Sequence, residues 1–207
     1  MARLTLTTFV TLDGVMQAPG SPEEDRAGGF PHGGWLAPFL DADTDRFVDE
    51  VFERPQAFLL GRRTYEIYAS YWPGVTDPAD GVAAKLNGLP KYVATHTLTD
   101  PRWANTTLLG GDVPAEVARL KEHLDGDGEL QIHGSGALAR TLMGHGLIDE
   151  YHLVVAPVAL GAGIRLFPEG GPPTAFALTA SRITASGAAL LSYRPAEPAA
   201  FGGFSRS

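Results

Sequence analysis

Five short runs of β-forming residues, at 2–10, 57–60, 92–95, 130–133 and 151–158, are separated by segments whose apolar residues recur with a helical period. That alternation constrains the fold more than any other feature. Strands joined by helical crossovers pair in parallel and need helices on both faces of their sheet. The first run, ARLTLTTFV, alternates with a period of two, as a strand does. Asp41 or Asp43 is a fitting cap for a helix whose face is Phe47, Val48, Val51 and Phe52. Asp77 and Pro78 read as the cap and first turn of a helix carrying Val82, Leu86 and Leu89. Asp112 opens another, with Val117, Leu120 and Leu124 on one side. Residues 174–182 and 188–194 are predicted as two strands around the hairpin signal Ser186–Gly187. The expected class is α/β: three layers, α/β/α, around a mixed and mostly parallel sheet with an antiparallel C-terminal hairpin. Residues 1–194 are expected to form one domain, and 195–207, dominated by small residues and proline, a disordered tail.

Composition excludes several classes of function. Sixteen basic against 24 acidic side chains give a net charge of −8, and lysine occurs only at 85, 91 and 121. Binding to nucleic acid draws on clustered cations, so no nucleic-acid partner is expected. The chain has no cysteine, which removes disulfides, thiolate nucleophiles and cysteine-held metals. The six histidines, at 32, 96, 123, 133, 145 and 152, show no ligand spacing on a common helix face, and no metal site is expected. No apolar run approaches a membrane span, and the first residues lack the apolar stretch of a signal peptide, so the expectation is a cytoplasmic protein with no membrane partner.

Two strand-to-helix junctions carry the chemistry. At the first, Gly61, Arg62, Arg63 and Thr64 put a glycine, two cations and a hydroxyl at a helix N-terminus, where free N–H groups favour an anion. The other reading is a glycine turn with two solvated arginines and Thr64 as a cap. At the second, Gly134, Ser135, Gly136, Ala137, Leu138 and Ala139 follow a strand and open a helix with the pattern G-x-G-x-x-A. No acidic residue ends the next strand, which disfavours a Rossmann site proper. Glycines there either admit a phosphate to the backbone or pack helix closely on strand. Residues 13–38, with six glycines and four prolines, form a long loop of the kind that serves as a lid. Asp13, followed by Gly14, is a turn former or a site carboxylate.

The order of motifs resembles the dihydrofolate-reductase-like superfamily. It is closest to the branch related to the C-terminal reductase domain of bifunctional riboflavin-biosynthesis deaminase-reductases. The resemblance runs from about residue 3 to 194 through Thr11–Met16, Leu60–Glu66, Lys91–Thr97, His133–Leu138, Gly146–Glu150 and Pro157–Gly163. It implies about eight strands, NADPH as cofactor, a small-molecule substrate and a homodimer. By this resemblance Gly61, Arg62, Arg63 and Thr64 hold the cofactor's phosphates, and Gly134, Ser135, Gly136, Ala137 and Leu138 cradle the pyrophosphate. The loop Asp13, Gly14 and Val15 would close over nicotinamide and substrate.

Two departures bear on mechanism. Many relatives place Ser-Arg after the third strand, where the arginine helps bind the adenosine 2′-phosphate. Here Thr95 and His96 stand there, which leaves NADH open. Counting back from Gly61 puts Asp45 where folate reductases carry a helix carboxylate, so Asp13 and Asp45 are the candidate catalytic acids. The implied activity is hydride transfer to a pterin- or pyrimidine-like ring or to a carbonyl or imine. The alternatives are a riboflavin-pathway reductase of a ribosylamino-pyrimidine phosphate, and a nucleotide- or pterin-binding module without turnover.

Overall fold

The computed structural model describes the chain except for residues 125, 127, 172, 197, 198, 200 and 203–207. Eight strands form one sheet in the order β4-β3-β2-β5-β1-β6-β8-β7. They are β1 (Arg3–Thr11), β2 (Pro55–Gly61), β3 (Lys91–Ala94), β4 (Thr106–Leu109), β5 (Glu129–His133), β6 (Glu150–Ala156), β7 (Phe176–Ile183) and β8 (Ala189–Pro195). β1 to β6 pair in parallel, and β8 pairs antiparallel with both β6 and β7. This is the expected mixed sheet with its antiparallel hairpin. Five helices cover it: α1 (Ala42–Phe52), α2 (Arg62–Tyr71), α3 (Gly81–Gly88), α4 (Val113–His123) and α5 (Gly136–Gly144).

Alternation in the strands sorts their side chains into two apolar clusters, one per face. Leu4, Leu6, Leu130 and Ile132 pack with Val117 of α4 and Leu138 and Leu142 of α5. Phe58, Leu60 and Val93 pack on the other side with Val51 and Phe52 of α1, Tyr65 of α2 and Leu86 of α3. The intervening polar residues of β1 are not solvated: Thr5 and Thr7 are both buried. Among the described residues no helix is long and apolar enough to cross a membrane.

The helix starts follow the expected chemistry with one correction. Asp41 caps α1, accepting from the N–H groups of Asp43 and Thr44. Its second oxygen takes the N–H of Ser186 in the β7–β8 turn at 2.9 Å. These bonds, that of Ser186 foremost, hold the Asp41 carboxyl well below the usual carboxylate range. Asp112 caps α4 through Ala115. The cap of α3 is Asp80, which accepts from Ala83, and not Asp77, whose carboxylate closes a turn onto Ala79. Strand β4 has no counterpart in the periodicity, because four residues at a sheet edge show no alternation. Of the tail expected from 195, Pro195 ends β8 and Ala196 still donates to Ala175 O, so these two residues continue the sheet. Most of that segment lies outside the described residues.

One buried cation fixes α3 to the sheet. Lys91 on β3 is fully buried; its Nζ donates to Leu86 O at 2.7 Å and Leu89 O at 2.8 Å, and lies 4.5 Å from the Trp103 ring centroid. It thereby satisfies carbonyls at the end of a helix, which otherwise lack partners. Lys91→Met keeps the volume and strands those carbonyls, so urea unfolding should show a loss of about 2 kcal/mol at unchanged slope. An unmoved midpoint would show that water replaces the ammonium there.

Candidate functional site

Strand β5 enters the sheet between β2 and β1, so the two glycine junctions sit side by side at the carboxyl ends of neighbouring strands. Crevices of α/β sheets form at such a position. Here it is a cleft of about 1200 Å³ lined from both junctions, from the 16–25 loop and from α1. The Gly61 N–H donates to Ser135 Oγ at 3.0 Å, which ties one junction to the other. To make that bond Ser135 adopts a left-handed backbone (φ 53°, ψ 48°), a conformation that costs a residue other than glycine about 1 kcal/mol. Neither Gly61 nor Ser135 caps its helix with a side chain, so α2 and α5 both turn free N–H groups toward the cleft.

The glycines divide the two roles left open by the sequence. Gly134 has φ 59°, and a Cβ there would meet nothing within 4 Å; backbone conformation alone requires it, and the space beside it is open. A Cβ on Gly136, which also lines the cleft, would come 2.8 Å from Met16 Sδ, so this glycine makes room for Met16. Ala137 and Leu138 line the cleft on the first turn of α5.

The cations differ in what already holds them. Arg62 pairs with Glu66 at 2.7 Å and donates to the Thr97 hydroxyl. Arg63 pairs with Asp25 at 3.2 Å and so anchors the long loop. Thr64, Thr95 and His96 line the same wall. Thr95 Oγ1 accepts from Thr97 N and Leu98 N, which shapes the turn after β3. His96 Nδ1 lies 3.0 Å from Gly110 O, a carbonyl that can only accept, so Nδ1 carries a proton. Arg140 was not singled out from the sequence. It lines the cleft and donates only to Arg165 O, with no carboxylate partner among the described residues. Its signal was spacing, four residues beyond Gly136 on the same helix.

Both candidate acids lie elsewhere. Asp13, Gly14 and Val15 do not line the cleft. The Asp13 carboxylate accepts from Thr11 Oγ1 at 2.5 Å, Gly161 N at 2.8 Å and Leu160 N at 3.2 Å, and faces Arg165 at 3.5 Å. The Thr11 hydroxyl and these two N–H groups hold it down to about 2, against an opposing effect of burial. Val15 is fully buried against Phe30 and Trp35, and Gly14 turns the chain with φ 79°. The 11–15 segment is thus a post welded to 158–166, and the part of the loop that reaches the cleft is Met16–Gly20 with Glu24, Asp25 and Leu36. Asp45 is exposed on the first turn of α1 and does not line the cleft, which this helix faces with Val48, Val51 and Phe52. Every carboxylate that does line the cleft among the described residues is committed: Glu24 to Gly20 N and Ser21 N, Asp25 to Arg63, and Asp80 and Asp112 to their helix caps.

The inner wall includes Thr7 and His133, neither of which the sequence reading had assigned to the site. His133 is 6% exposed and stacks on Phe52 with ring centroids 4.5 Å apart. Burial pushes its imidazole down to about 3, so it is neutral at ordinary pH. Among the described residues no three potential ligands gather as a metal would require.

A family model, the RibD C-terminal domain, matches residues 2–191. The chain belongs to this family. Its fold is the dihydrofolate-reductase-like one expected from the motifs. Among curated proteins, two relatives come from Bacillus subtilis, both named as uncharacterized proteins. YyaP is 26% identical over 80% of each chain, and YwjB is 29% identical over 65% of this chain and 71% of its own. A solved structure assigned provisionally to riboflavin biosynthesis, from Shewanella sp. PV-4, superposes with a TM-score of 0.71 at 22% identity, over 95% of this chain and all of that one. A pyrimidine reductase-like protein from Corynebacterium diphtheriae gives 0.63 at 13%, over 95% and 92%. The diaminohydroxyphosphoribosylaminopyrimidine deaminase/5-amino-6-(5-phosphoribosylamino)uracil reductase of Thermotoga maritima gives 0.59 at 15%; this chain spans 57% of it.

The depressed Asp13 sets an acid test. Its folded value of about 2 lies below the ordinary 3.8, so the ionised group stabilises the fold above about pH 4 and loses that effect as pH falls toward 2. Asp13→Asn should flatten the fall in urea midpoint between pH 4 and 2. A fall as steep as in the unaltered protein would mean that other groups carry the acid sensitivity.

Proposed function

We propose that the chain is a cytoplasmic NADPH-dependent reductase that delivers hydride to a small heterocycle of the pyrimidine class. The observation that carries this reading is the pair of uncapped helix N-termini joined through Gly61 and Ser135 at one cleft, with Arg62 and Arg140 on its walls. Such ends favour phosphate oxygens, and the open space beside Gly134 admits them to the backbone. The residues present therefore fit a dinucleotide: the first turns of α2 and α5 with Arg140 for the pyrophosphate, and Arg62 with Thr95 and Thr97 for a 2′-phosphate. Bound there, a reduced nicotinamide supplies the hydride. The chain's own part is to bind and orient. Phe52, Val51 and Val48 form an apolar wall that keeps water from the reacting faces.

The proton comes from water in this reading. Each cleft carboxylate is held by N–H groups or by an arginine, and His133 stays neutral. That same shortage of free acid favours the second reading, a binding module without turnover. The relatives' names point to riboflavin-pathway and pyrimidine reductases, which is why the pyrimidine class comes first. The partner we propose is a second copy of the chain, docked on edge strand β7, whose residues are almost all exposed; light scattering checks it.

Calorimetry with both cofactors tests the reading. Arg62→Ala should weaken NADPH at least about tenfold, as expected on losing a charged hydrogen bond, and leave NADH within about twofold. Arg140→Ala should weaken both alike. Cofactor oxidation with pyrimidine, pterin and carbonyl substrates then separates the alternatives: binding without oxidation supports the module, and absence of cofactor binding overturns the reductase reading.

A further inference from the structure

On the face of the sheet under α1, β5 presents Glu129, Gln131 and His133 at alternate positions, all buried. They form one hydrogen-bonded line. Glu129 Oε1 is held by Arg3 at 2.9 Å and Arg54 at 3.1 Å, and its Oε2 accepts from Gln131 Nε2 at 2.8 Å. Gln131 Nε2 also donates to Val51 O at 2.7 Å. An amide nitrogen facing two oxygens fixes the orientation of the whole amide, because turned round it would set its oxygen against two acceptors. Gln131 Oε1 is therefore the atom that meets His133 Nε2, at 3.1 Å. A carboxamide oxygen only accepts, so Nε2 bears the imidazole proton. Stacking on Phe52 restrains the ring in that plane.

The other ring nitrogen follows by elimination. His133 is neutral, so Nδ1 keeps a bare lone pair, and it has no protein partner among the described residues. The ring lines the cleft. Beside it on β1, in register, sits Thr7, whose buried hydroxyl also lacks a partner and which lines the same wall. A wall with an acceptor of fixed sense and an unpaired hydroxyl selects the group that faces it. Left unmatched, these atoms oppose burial of any ligand.

We propose that His133 reads the substrate: Nδ1 accepts a hydrogen bond from a ring N–H or exocyclic amine, so the cleft takes heterocycles that present a donor edge and rejects those that present a lone pair there. This rests on the cleft's being a heterocycle site, as proposed above. His133 acts as a specificity residue, and Gln131 and Glu129 are positioning residues that hold its tautomer. The sense of the bond also removes His133 as a source of the proton, since its only N–H is committed to Gln131.

The test uses the whole chain and two probes, uracil and 1,3-dimethyluracil, which share a ring and differ in their N–H donors. In the unaltered protein, side-chain ¹⁵N spectra at neutral pH should show His133 as the Nε2–H tautomer, and Gln131→Met should let the Nδ1–H form appear. Uracil should bind at least about tenfold more tightly than its dimethyl form, the order expected when a buried acceptor is left unpaired. His133→Leu should bring that ratio to within about twofold, and His133→Asn, which keeps an acceptor near Nδ1, should preserve it. An Nδ1–H tautomer in the unaltered protein, equal affinity for the two probes, no uracil binding, or a preference that survives His133→Leu would each overturn the proposal. NADPH titration of the same proteins reports separately on the cofactor: its failure with uracil selectivity intact would sink the reductase reading alone.

Discussion

Placement of β5 between β2 and β1 is the constraint on which the site depends. Both glycine junctions exist in the sequence as separate strand-to-helix turns 73 residues apart, and nothing local makes them neighbours. Once β5 pairs with β2, Gly61 N reaches Ser135 Oγ, two helix starts converge, and the cleft has a positively polarised floor. The left-handed Ser135 is the residue that absorbs the strain of that junction. Its side chain bonds Gly61 N and His133 O, so the same residue that pins the two turns also closes the end of the strand carrying the cleft histidine.

The long loop after β1 has its own internal logic. Gln17 is its hub: its side-chain amide donates to Asp25 O and Ala27 O, its backbone carbonyl accepts from Trp35 Nε1, and its Oε1 takes Ile164 N. Phe30, Trp35 and Leu36 bury beneath this frame. A loop dense in glycine and proline is thereby ordered without regular structure, and its rim is fastened to α2 by the Arg63–Asp25 pair. A phosphate at Arg63, if the proposed cofactor binds there, would compete with that carboxylate and so couple occupancy of the cleft to the hold on the loop.

Fold class was legible because period-two and period-3.6 patterns alternate cleanly and because Asp41 and Asp112 stand where caps must. The candidate phosphate residues were legible for a similar reason, since glycine and arginine at a strand end leave a local mark. What could not be read was long-range. Asp13 looked like a site carboxylate because it adjoins the loop, but its partners at 160, 161 and 165 lie far along the chain. Asp45 matched a position by counting, and counting does not say whether an exposed first-turn side chain reaches the cleft. His133 stayed hidden because its meaning comes from Gln131 and from a helix carbonyl at Val51, contacts no spacing rule records.

The position of β1 in the sheet has a consequence for how the protein is made. Strand β1 pairs with β5 and β6, so its edges stay bare until Glu129–Ala156, far later in the chain, has been made. β2, β3 and β4 can assemble in that interval, since they pair among themselves. The order of synthesis thus allows a small three-stranded sheet beside a still unpaired, threonine-rich ribbon. Its alternation of Leu4 and Leu6 with Thr5 and Thr7 keeps that ribbon half polar while it waits. Closure comes from the late segment, which inserts one strand on each side of β1 and builds the cleft in the same step.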